Sequence, residues 1–116
     1  MPTLQLLPVR DLQECCAPIT RAPIGVAHAA SLAASLKALA DPARLRILSI
    51  VAASEDQETC VCNFTEPLEL SQPTVSHHLK VLVDAGFLAR EKRGTWAYYR
   101  IVPGSLDAVA GLIATV

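Results

Sequence analysis

Apolar residues recur at three- and four-residue spacing in the first half of the chain, which is the pattern of an amphipathic helix. This pattern predicts a first helix from Val26 to Ala40. Asp41-Pro42 then provides an N-cap side chain and a first-turn proline for a second helix, which extends as far as Ala53. In the second helix we expect Leu45, Leu48 and Val51 to be buried. Arg44 and Arg46 are expected to lean outward.

The segment between the second and third predicted helices has no single periodicity. Its first part, from Ser54 to Thr59, is polar and is predicted to be a loop. Its second part, from Cys60 to Glu66, is predicted to be a short helix or a strand that leads into one. Pro67 limits the length of that element, because proline disrupts a continuing helix.

A third helix is predicted from the N-cap Ser71 to Ala85, where Gly86 ends it. Pro73 is compatible with its first turn, because an amide hydrogen there would lack an intrahelical partner. The apolar positions that share one face are Val75, Leu79, Leu82 and Val83. Thr74, His77 and Lys80 point away from that face. One side of the helix is therefore expected to pack in the core, and the other is free to enter a groove.

Two runs rich in β-forming residues follow, from Phe87 to Lys92 and from Thr95 to Val102, and Arg93-Gly94 separates them. They predict a β-hairpin. Ser105 to Val116 then repeats apolar residues at helical spacing almost without charge, so this last helix is expected to pack against a second copy of the chain. The predicted fold is mainly α with a small β-hairpin, the pattern of a homodimeric winged helix-turn-helix.

The composition fits one mostly helical domain, because 52% of the 116 residues are hydrophobic and only 4% are aromatic. Proline and glycine are frequent in residues 1–25, which are predicted to form an arm, and residues 26–116 are predicted to form the domain. The longest apolar run, from Ala29 to Ala40, is too short to cross a bilayer. The first ten residues do not resemble a secretory signal. We therefore expect a cytoplasmic protein without a membrane partner.

The charge is unevenly distributed, although the formal net charge is only −1. Residues 1–70 contain five Lys/Arg and eight Asp/Glu, whereas residues 71–116 contain five Lys/Arg and three Asp/Glu. The basic excess therefore lies in the part that contains the third helix and the hairpin. It permits a nucleic-acid partner without requiring one.

Four cysteines form two close pairs, Cys15-Cys16 in the arm and Cys60-Val61-Cys62 ahead of the third helix. In a reducing cytosol, metal ligation or thiol reactivity explains them better than a disulfide framework does. Thiolates are soft ligands that select thiophilic ions, so arsenite, antimonite, cadmium and lead all qualify. Cys60 and Cys62 would diverge by about 200° on a regular helix. Both can face one ion only if this segment is extended or forms a frayed first turn.

Several of these runs together resemble the ArsR/SmtB family of bacterial metal- and metalloid-sensing repressors. The runs are Asp41-Pro42-Ala43-Arg44-Leu45-Arg46-Ile47-Leu48, Cys60-Val61-Cys62, Ser71-Gln72-Pro73-Thr74-Val75-Ser76-His77-His78-Leu79-Lys80-Val81-Leu82, Ala85-Gly86-Phe87-Leu88 and Tyr98-Tyr99-Arg100. The resemblance covers residues 27–115, and the adjacent arm cysteines are similar to those of the arsenite-responsive branch in actinobacteria. It implies a homodimer with the first and last helices at its interface. Such a dimer binds a palindromic double-stranded DNA operator and is released by its inducer.

The resemblance and the polar face of the third helix together predict the DNA contacts. The helix residues concerned are Gln72, Thr74, Ser76, His77 and Lys80. Gln72 and His77 are expected to read base edges, and Lys80 is expected to meet the phosphate backbone. The hairpin residues concerned are Arg90, Lys92 and Arg93. Arg93 lies at the predicted tip, where it would reach a minor groove or a phosphate.

The same resemblance makes all four cysteines candidate ligands of one inducing ion: Cys15, Cys16, Cys60 and Cys62. Three sulfurs, with Cys62 as the dispensable one, would suit As(III) or Sb(III), and four would suit Cd(II) or Pb(II). No zinc site is expected on the last helix, whose only titratable side chain is Asp107. A thiol-redox switch and a DNA-binding module that ignores metals are the alternatives. No catalytic activity is expected, because a nucleophilic cysteine would need a positioned base.

Overall fold

The computed structural model describes residues 17–114. Its helices are α1 (Val26–Leu39), α2 (Pro42–Ala53), α3 (Thr65–Leu68), α4 (Gln72–Asp84) and α5 (Ser105–Ile113). Its strands are β1 (Glu58–Cys60), β2 (Leu88–Arg93) and β3 (Trp96–Ile101). The long helices and the hairpin lie where the sequence predicted them, and the mainly α architecture is confirmed. Most of the predicted arm, including Cys15 and Cys16, lies outside the described residues.

Capping side chains determine where α2 and α4 begin. The Asp41 carboxylate accepts hydrogen bonds from the backbone N–H groups of Ala43 at 2.9 Å and Arg44 at 3.2 Å. The bond from Arg44 is the main reason that the pKa of Asp41 lies below its usual value. The Ser71 hydroxyl accepts a hydrogen bond from the Thr74 N–H at 3.4 Å. Both caps were predicted, and both satisfy amide groups that a helix leaves unpaired at its start.

The sheet contains three antiparallel strands in the order β1-β3-β2. The third strand corrects the prediction of a loop from Ser54 to Thr59, because Glu58 and Thr59 belong to β1. Thr59 is buried, pairs with Tyr99 and has its hydroxyl 2.8 Å from that of Ser54. A short polar segment is therefore held in a strand by a partner that is distant in sequence, and its own pattern gives little sign of it.

One hydrophobic core joins the helices to the sheet. Its members with no exposed surface include Ile47, Val51, Phe64, Val75, Leu79, Leu82 and Phe87. The Phe64 ring meets the Tyr99 ring edge-on, with 6.4 Å between centroids, so strand β3 closes one side of this core. The prediction that Leu45 is buried is wrong, since 54% of its surface is exposed. Side chains two positions apart in a helix point about 200° away from each other. Leu45 therefore lies opposite Ile47, which takes the inward position instead.

Helix α5 has apolar residues on two sides. Leu112 is only 3% exposed, because it faces the core of its own chain together with Ala108 and Val109. Leu106 and Ile113 remain 39% and 36% exposed on another side of the helix. The backbone of Ile19 donates a hydrogen bond to the Leu112 carbonyl at 2.9 Å, which holds the segment before α1 against this helix. Between residues 17 and 114, no helix combines the length and apolar character that a bilayer crossing requires.

Candidate DNA interface and thiol site

Helix α4 presents one face to the core and the opposite face to solvent. Val75, Leu79 and Leu82 are fully buried, as predicted. The five helix residues predicted to contact DNA are all exposed: Gln72, Thr74, Ser76, His77 and Lys80. The buried side anchors the helix while the polar side protrudes, which is the arrangement that insertion into a major groove requires.

The turn before α4 sets the direction of that helix. Helix α3 has four residues and ends at Leu68, which is buried, and Glu69 then takes a left-handed conformation with φ 55°. The Arg46 guanidinium donates a hydrogen bond to the Pro67 carbonyl at 2.8 Å. This bond ties the turn to α2. The limit that Pro67 was predicted to place on this element agrees with the short helix.

Arg44 does not lean outward as predicted. Its Nε donates to the Ala38 carbonyl at 2.7 Å and its Nη2 donates to the Lys37 carbonyl at 3.2 Å. Its Nη1 lies 3.1 Å from Nδ1 of His78 on α4. The last carbonyls of a helix lack intrahelical partners, so a guanidinium beyond the end of α1 stabilises them. Arg44 therefore connects the end of α1 to α4, a contact that its position near the Asp41 cap did not reveal.

The contact with Arg44 also orients the imidazole of His78. A guanidinium is only a donor, so Nδ1 of His78 must accept the hydrogen bond. In the neutral ring the proton then lies on Nε2, which can donate to another group. His78 is half-buried, and its ring centroid lies 5.8 Å from that of the exposed His77.

Lys80 forms an ion pair with Asp84 one turn further along α4. The Nζ–Oδ2 distance is 2.9 Å, and the two side chains are 74% and 63% exposed. A pair this exposed contributes little to stability. Lys80 can therefore exchange Asp84 for another anionic partner at small cost.

The hairpin of β2 and β3 is the wing, and its residues predicted to contact DNA lie on two different faces of strand β2. Successive side chains of a strand point to opposite faces, so Arg90 and Lys92 share one face and Glu91 and Arg93 share the other. All four residues are exposed. The structure thus keeps Arg90 and Lys92 together and separates Arg93 from them.

The Arg93 guanidinium is occupied by acidic partners. Nη1 and Nη2 donate to the two carboxylate oxygens of Glu58 at 2.6 and 2.8 Å, and Nη2 also donates to Glu91 at 2.9 Å. The guanidinium lies over the Tyr98 ring, 4.7 Å from its centroid. These bonds, with the Glu58 pair first, raise the pKa of Arg93. The pKa of Glu91 is lowered, mainly by its hydrogen bond from Arg93.

Cys60 and Cys62 bring their sulfur atoms together. Cys60 ends β1 in an extended conformation and precedes a 3-10 turn at Val61–Asn63. The two Sγ atoms are 2.7 Å apart, and the Cys62 N–H approaches the Cys60 sulfur at 3.5 Å. Cys60 is buried, whereas Cys62 is exposed. The segment is therefore not a regular helix, which is the condition predicted from the sequence for both thiols to face one ion.

The contact between the thiols also affects the acidity of Cys62. A hydrogen bond to Cys60 is the main cause that raises the pKa of Cys62, and desolvation adds to the effect. One anionic sulfur beside another is unfavourable, whereas an ion shared by both removes the repulsion. Among residues 17–114, no three possible metal ligands come together. The structure therefore supplies two sulfurs, and the predicted ligands Cys15 and Cys16 lie outside the described residues.

Comparison with known proteins identifies the family. A family model described as bacterial regulatory protein, arsR family, matches residues 41–90, from the cap of α2 into β2. An HTH-type transcriptional regulator of Methanocaldococcus jannaschii is 42% identical over 77 residues, which cover 66% of this chain and 84% of that protein. This chain belongs to the ArsR family.

Two further similarities concern other ArsR-family proteins. The arsenical resistance operon repressor of Bacillus subtilis is 46% identical over 63 residues, which cover 54% of this chain and 58% of that repressor. The homodimeric winged helix-turn-helix DNA-binding domain of a possible ArsR-family regulator from Mycobacterium bovis, solved by NMR, is 30% identical with a TM-score of 0.61. That match covers 77% of this chain and 83% of the domain. The winged helix-turn-helix fold is confirmed, and the family consists of DNA-binding transcriptional regulators rather than enzymes.

Proposed function

We propose that this ArsR-family protein is a homodimeric repressor that leaves its DNA operator when As(III) bridges the Cys60–Cys62 thiol pair to Cys15 or Cys16 of the arm. The observation that carries the proposal is the 2.7 Å contact between the sulfurs of Cys60 and Cys62, just ahead of the helix-turn-helix. The similarity to proteins named arsenical resistance operon repressors supports a metalloid as the inducer.

The chemistry of arsenite calls for a third sulfur. Each As–S bond forms when a thiol replaces one hydroxide of As(OH)₃, and the thiol proton leaves with that hydroxide as water. Three exchanges fill the trigonal pyramid of As(III) without any change of oxidation state. Cys60 and Cys62 supply two of the sulfurs, and the remaining cysteines of the chain are Cys15 and Cys16. The contact between the sulfurs of Cys60 and Cys62 argues that Cys62 takes part, although the sequence suggested that Cys62 was dispensable. Antimonite would react in the same way.

A Cd(II) or Pb(II) sensor that uses all four cysteines is distinguished by the protons that its thiols release when the cation binds. A divalent cation displaces a proton from every thiol that it binds, so its affinity rises with pH below the thiol pKa values. The raised pKa of Cys62 enlarges the pH range over which this holds. Arsenite exchange releases water instead, so its affinity changes little. Affinities measured at pH 6.5 and 8 therefore separate the two kinds of inducer.

A thiol-redox switch is the second candidate, and the same sulfur contact favours it. Hydrogen peroxide would oxidise Cys60 and Cys62 to a disulfide, with two electrons passing to the peroxide and two molecules of water formed. This switch would release DNA with peroxide and regain it with a dithiol reductant. Arsenite would leave a redox switch bound to DNA, so separate treatments with hydrogen peroxide and arsenite distinguish the two candidate functions.

The DNA-binding part of the proposal depends on α4 and the wing. The exposed face of α4 carries Gln72 and His77 for base edges and Lys80 for a phosphate, and β2 adds Arg90 and Lys92 on one face. Two such surfaces joined by a dimer would read two half-sites about one helical turn apart. The exposed side of α5, with Leu106 and Ile113, supports an interface between copies at this helix.

The decisive experiment combines ion binding with DNA release. An operator is first selected by the reduced protein from random duplexes, and its binding is followed by fluorescence anisotropy during titration with arsenite. Arsenic–thiolate absorbance in the near ultraviolet reports the ion itself. We expect arsenite to lower operator affinity by about 5- to 150-fold, the usual range of coupling between two sites.

Cysteine variants test the bridge. Cys15→Ser combined with Cys16→Ser should bind the operator normally but lose the arsenite response, and Cys60→Ser should behave alike. Each variant keeps every predicted DNA contact, so unchanged affinity in the absence of arsenite is the internal control. Release of the arm variant at the wild-type arsenite concentration would show that the arm does not complete the site. A wild type that stays on DNA in arsenite would refute the proposed inducer.

A further inference from the structure

Arg93 links the wing to the strand that carries the thiols. Its guanidinium makes a bidentate pair with Glu58 of β1 at 2.6 and 2.8 Å, and a single bond with Glu91 of its own strand β2 at 2.9 Å. The Glu58 side chain is only 21% exposed, compared with 46% for Arg93. A planar guanidinium that donates two parallel hydrogen bonds to one carboxylate is the strongest and most directional form of an arginine–carboxylate ion pair.

Glu58 lies two residues before Cys60, so both side chains are on the same face of β1. Across the sheet, Cys60 pairs with Tyr98, and the Tyr98 ring lies beneath the Arg93 guanidinium at 4.7 Å. Besides the backbone pairing of β1 with β3, the thiol strand and the wing therefore meet through two adjoining side-chain contacts. One is the ion pair of Glu58 with Arg93, and the other is the Tyr98 ring.

The side chains available to DNA lie on the other face of the wing. Arg90 and Lys92 point away from the face that carries Arg93 and Glu91. An Arg93 held by two carboxylates has few donors left for a phosphate. We propose that Glu58 is a positioning residue which holds Arg93 as a strut between β1 and the wing, so that ion binding at Cys60 and Cys62 moves the wing. This inference rests on the proposed function, because it concerns how that thiol site acts on DNA binding.

Ion binding must change the geometry at the end of β1. The two sulfurs are 2.7 Å apart in the structure. An ion bound by two sulfurs at about 2.3 Å each, the distance found for zinc thiolates, needs them roughly 3.5 Å apart. The buried Cys60 at the end of β1 and the exposed Cys62 in the 3-10 turn after it share this displacement. The part that Cys60 takes up is expected to reach Arg93 through the ion pair, because Glu58 belongs to the same short strand.

Trp96 provides a direct reporter of the wing. It is the only tryptophan of the chain, it pairs with Arg93 next to the hairpin turn, and it is 51% exposed. Its fluorescence is measured on the reduced full-length protein without DNA during titration with sodium arsenite, while arsenic–thiolate absorbance reports binding. We expect arsenite to change the Trp96 emission in the wild type at the concentration at which the absorbance saturates.

Two matched substitutions test the strut. Glu58→Gln removes the side-chain link between β1 and β2, whereas Glu91→Gln removes a partner of the same guanidinium within β2 itself. We expect both variants to bind arsenite with unchanged absorbance. The Trp96 response should be kept in Glu91→Gln and reduced in Glu58→Gln. Arg93→Gln breaks the same link from the wing side and should reproduce Glu58→Gln, which excludes a local misfolding of β1 as the cause.

The operator measurement completes the test. Glu58→Gln should reduce the arsenite-induced fall in operator affinity by about two- to five-fold, the range that one partly exposed ion pair can transmit. Combining it with Arg93→Gln should cause no further loss, since both changes break one link. A normal arsenite absorbance with an unaltered Trp96 response in Glu58→Gln would overturn the strut alone. A wild type without arsenic–thiolate absorbance would refute the proposed function, and this role of Glu58 with it.

Discussion

Replacing Lys80 with alanine tests whether the exposed face of α4 contacts DNA phosphates. Lys80 lies on the exposed face of α4, 74% exposed, and its partner in the structure is Asp84. An exposed pair at this spacing contributes only about 0.3–0.5 kcal/mol. A phosphate can therefore take the place of Asp84, and the fold should tolerate Lys80→Ala. The expected loss is confined to DNA binding and is independent of base sequence.

The magnitude follows from counterion release. Each phosphate neutralised contributes about 0.9 to the slope of log affinity against log salt. The proposed dimer would place two copies of Lys80 on the DNA, so the slope should fall by about 1.8. Between 50 and 200 mM salt, the wild type should consequently lose about 12-fold more affinity than Lys80→Ala loses.

The assay is operator binding by anisotropy at four or more salt concentrations, with a scrambled duplex in parallel. Arg21→Ala is the matched control, because it removes one exposed charge from the segment that Ile19 holds against α5. Its salt slope should equal that of the wild type. Lys80→Ala should weaken binding to both duplexes equally. Equal slopes for the wild type and Lys80→Ala would remove Lys80 from the phosphate contacts.

Two further predictions concern the scaffold. The lowered pKa of Asp41 means that its cap stabilises the fold above the ordinary value of 3.8, and this stabilisation is lost as the pH falls through the folded pKa. Asp41→Ala should thus lower the urea midpoint at pH 7, Asp41→Asn should restore most of it, and the difference between wild type and Asp41→Ala should shrink below pH 3.8. Leu106→Lys should give a folded monomer with weak operator binding in light scattering and anisotropy, whereas Asp107→Lys, on a neighbouring side of α5, should remain dimeric. A dimeric Leu106→Lys protein would place the interface elsewhere.

Much of the exposed surface of α4 was predictable because its signals are local. The cap at Ser71, the proline in the first turn and the period of Val75, Leu79 and Leu82 together determine which side of α4 is exposed. Once the buried positions are known, the identity of the exposed residues follows from the helical repeat. The roles of Arg44 and Arg93 were not predictable in this way. Each guanidinium can reach several partners, and which one it meets depends on the packing of distant segments.

The sequence by itself determined the order of the long helices and the hairpin, the polar face of α4 and the close spacing of the cysteines along the chain, because helical periodicity, caps and residue spacing act over a few residues. Only the tertiary structure decided that Glu58 and Thr59 join the sheet, that Ile47 rather than Leu45 packs inside, and that Cys60 meets Cys62 at the end of a strand. These outcomes depend on β3 and the shared core, which bring together segments that are far apart in sequence. Strand pairing and burial are contacts between such segments, so their energies do not appear in either segment alone.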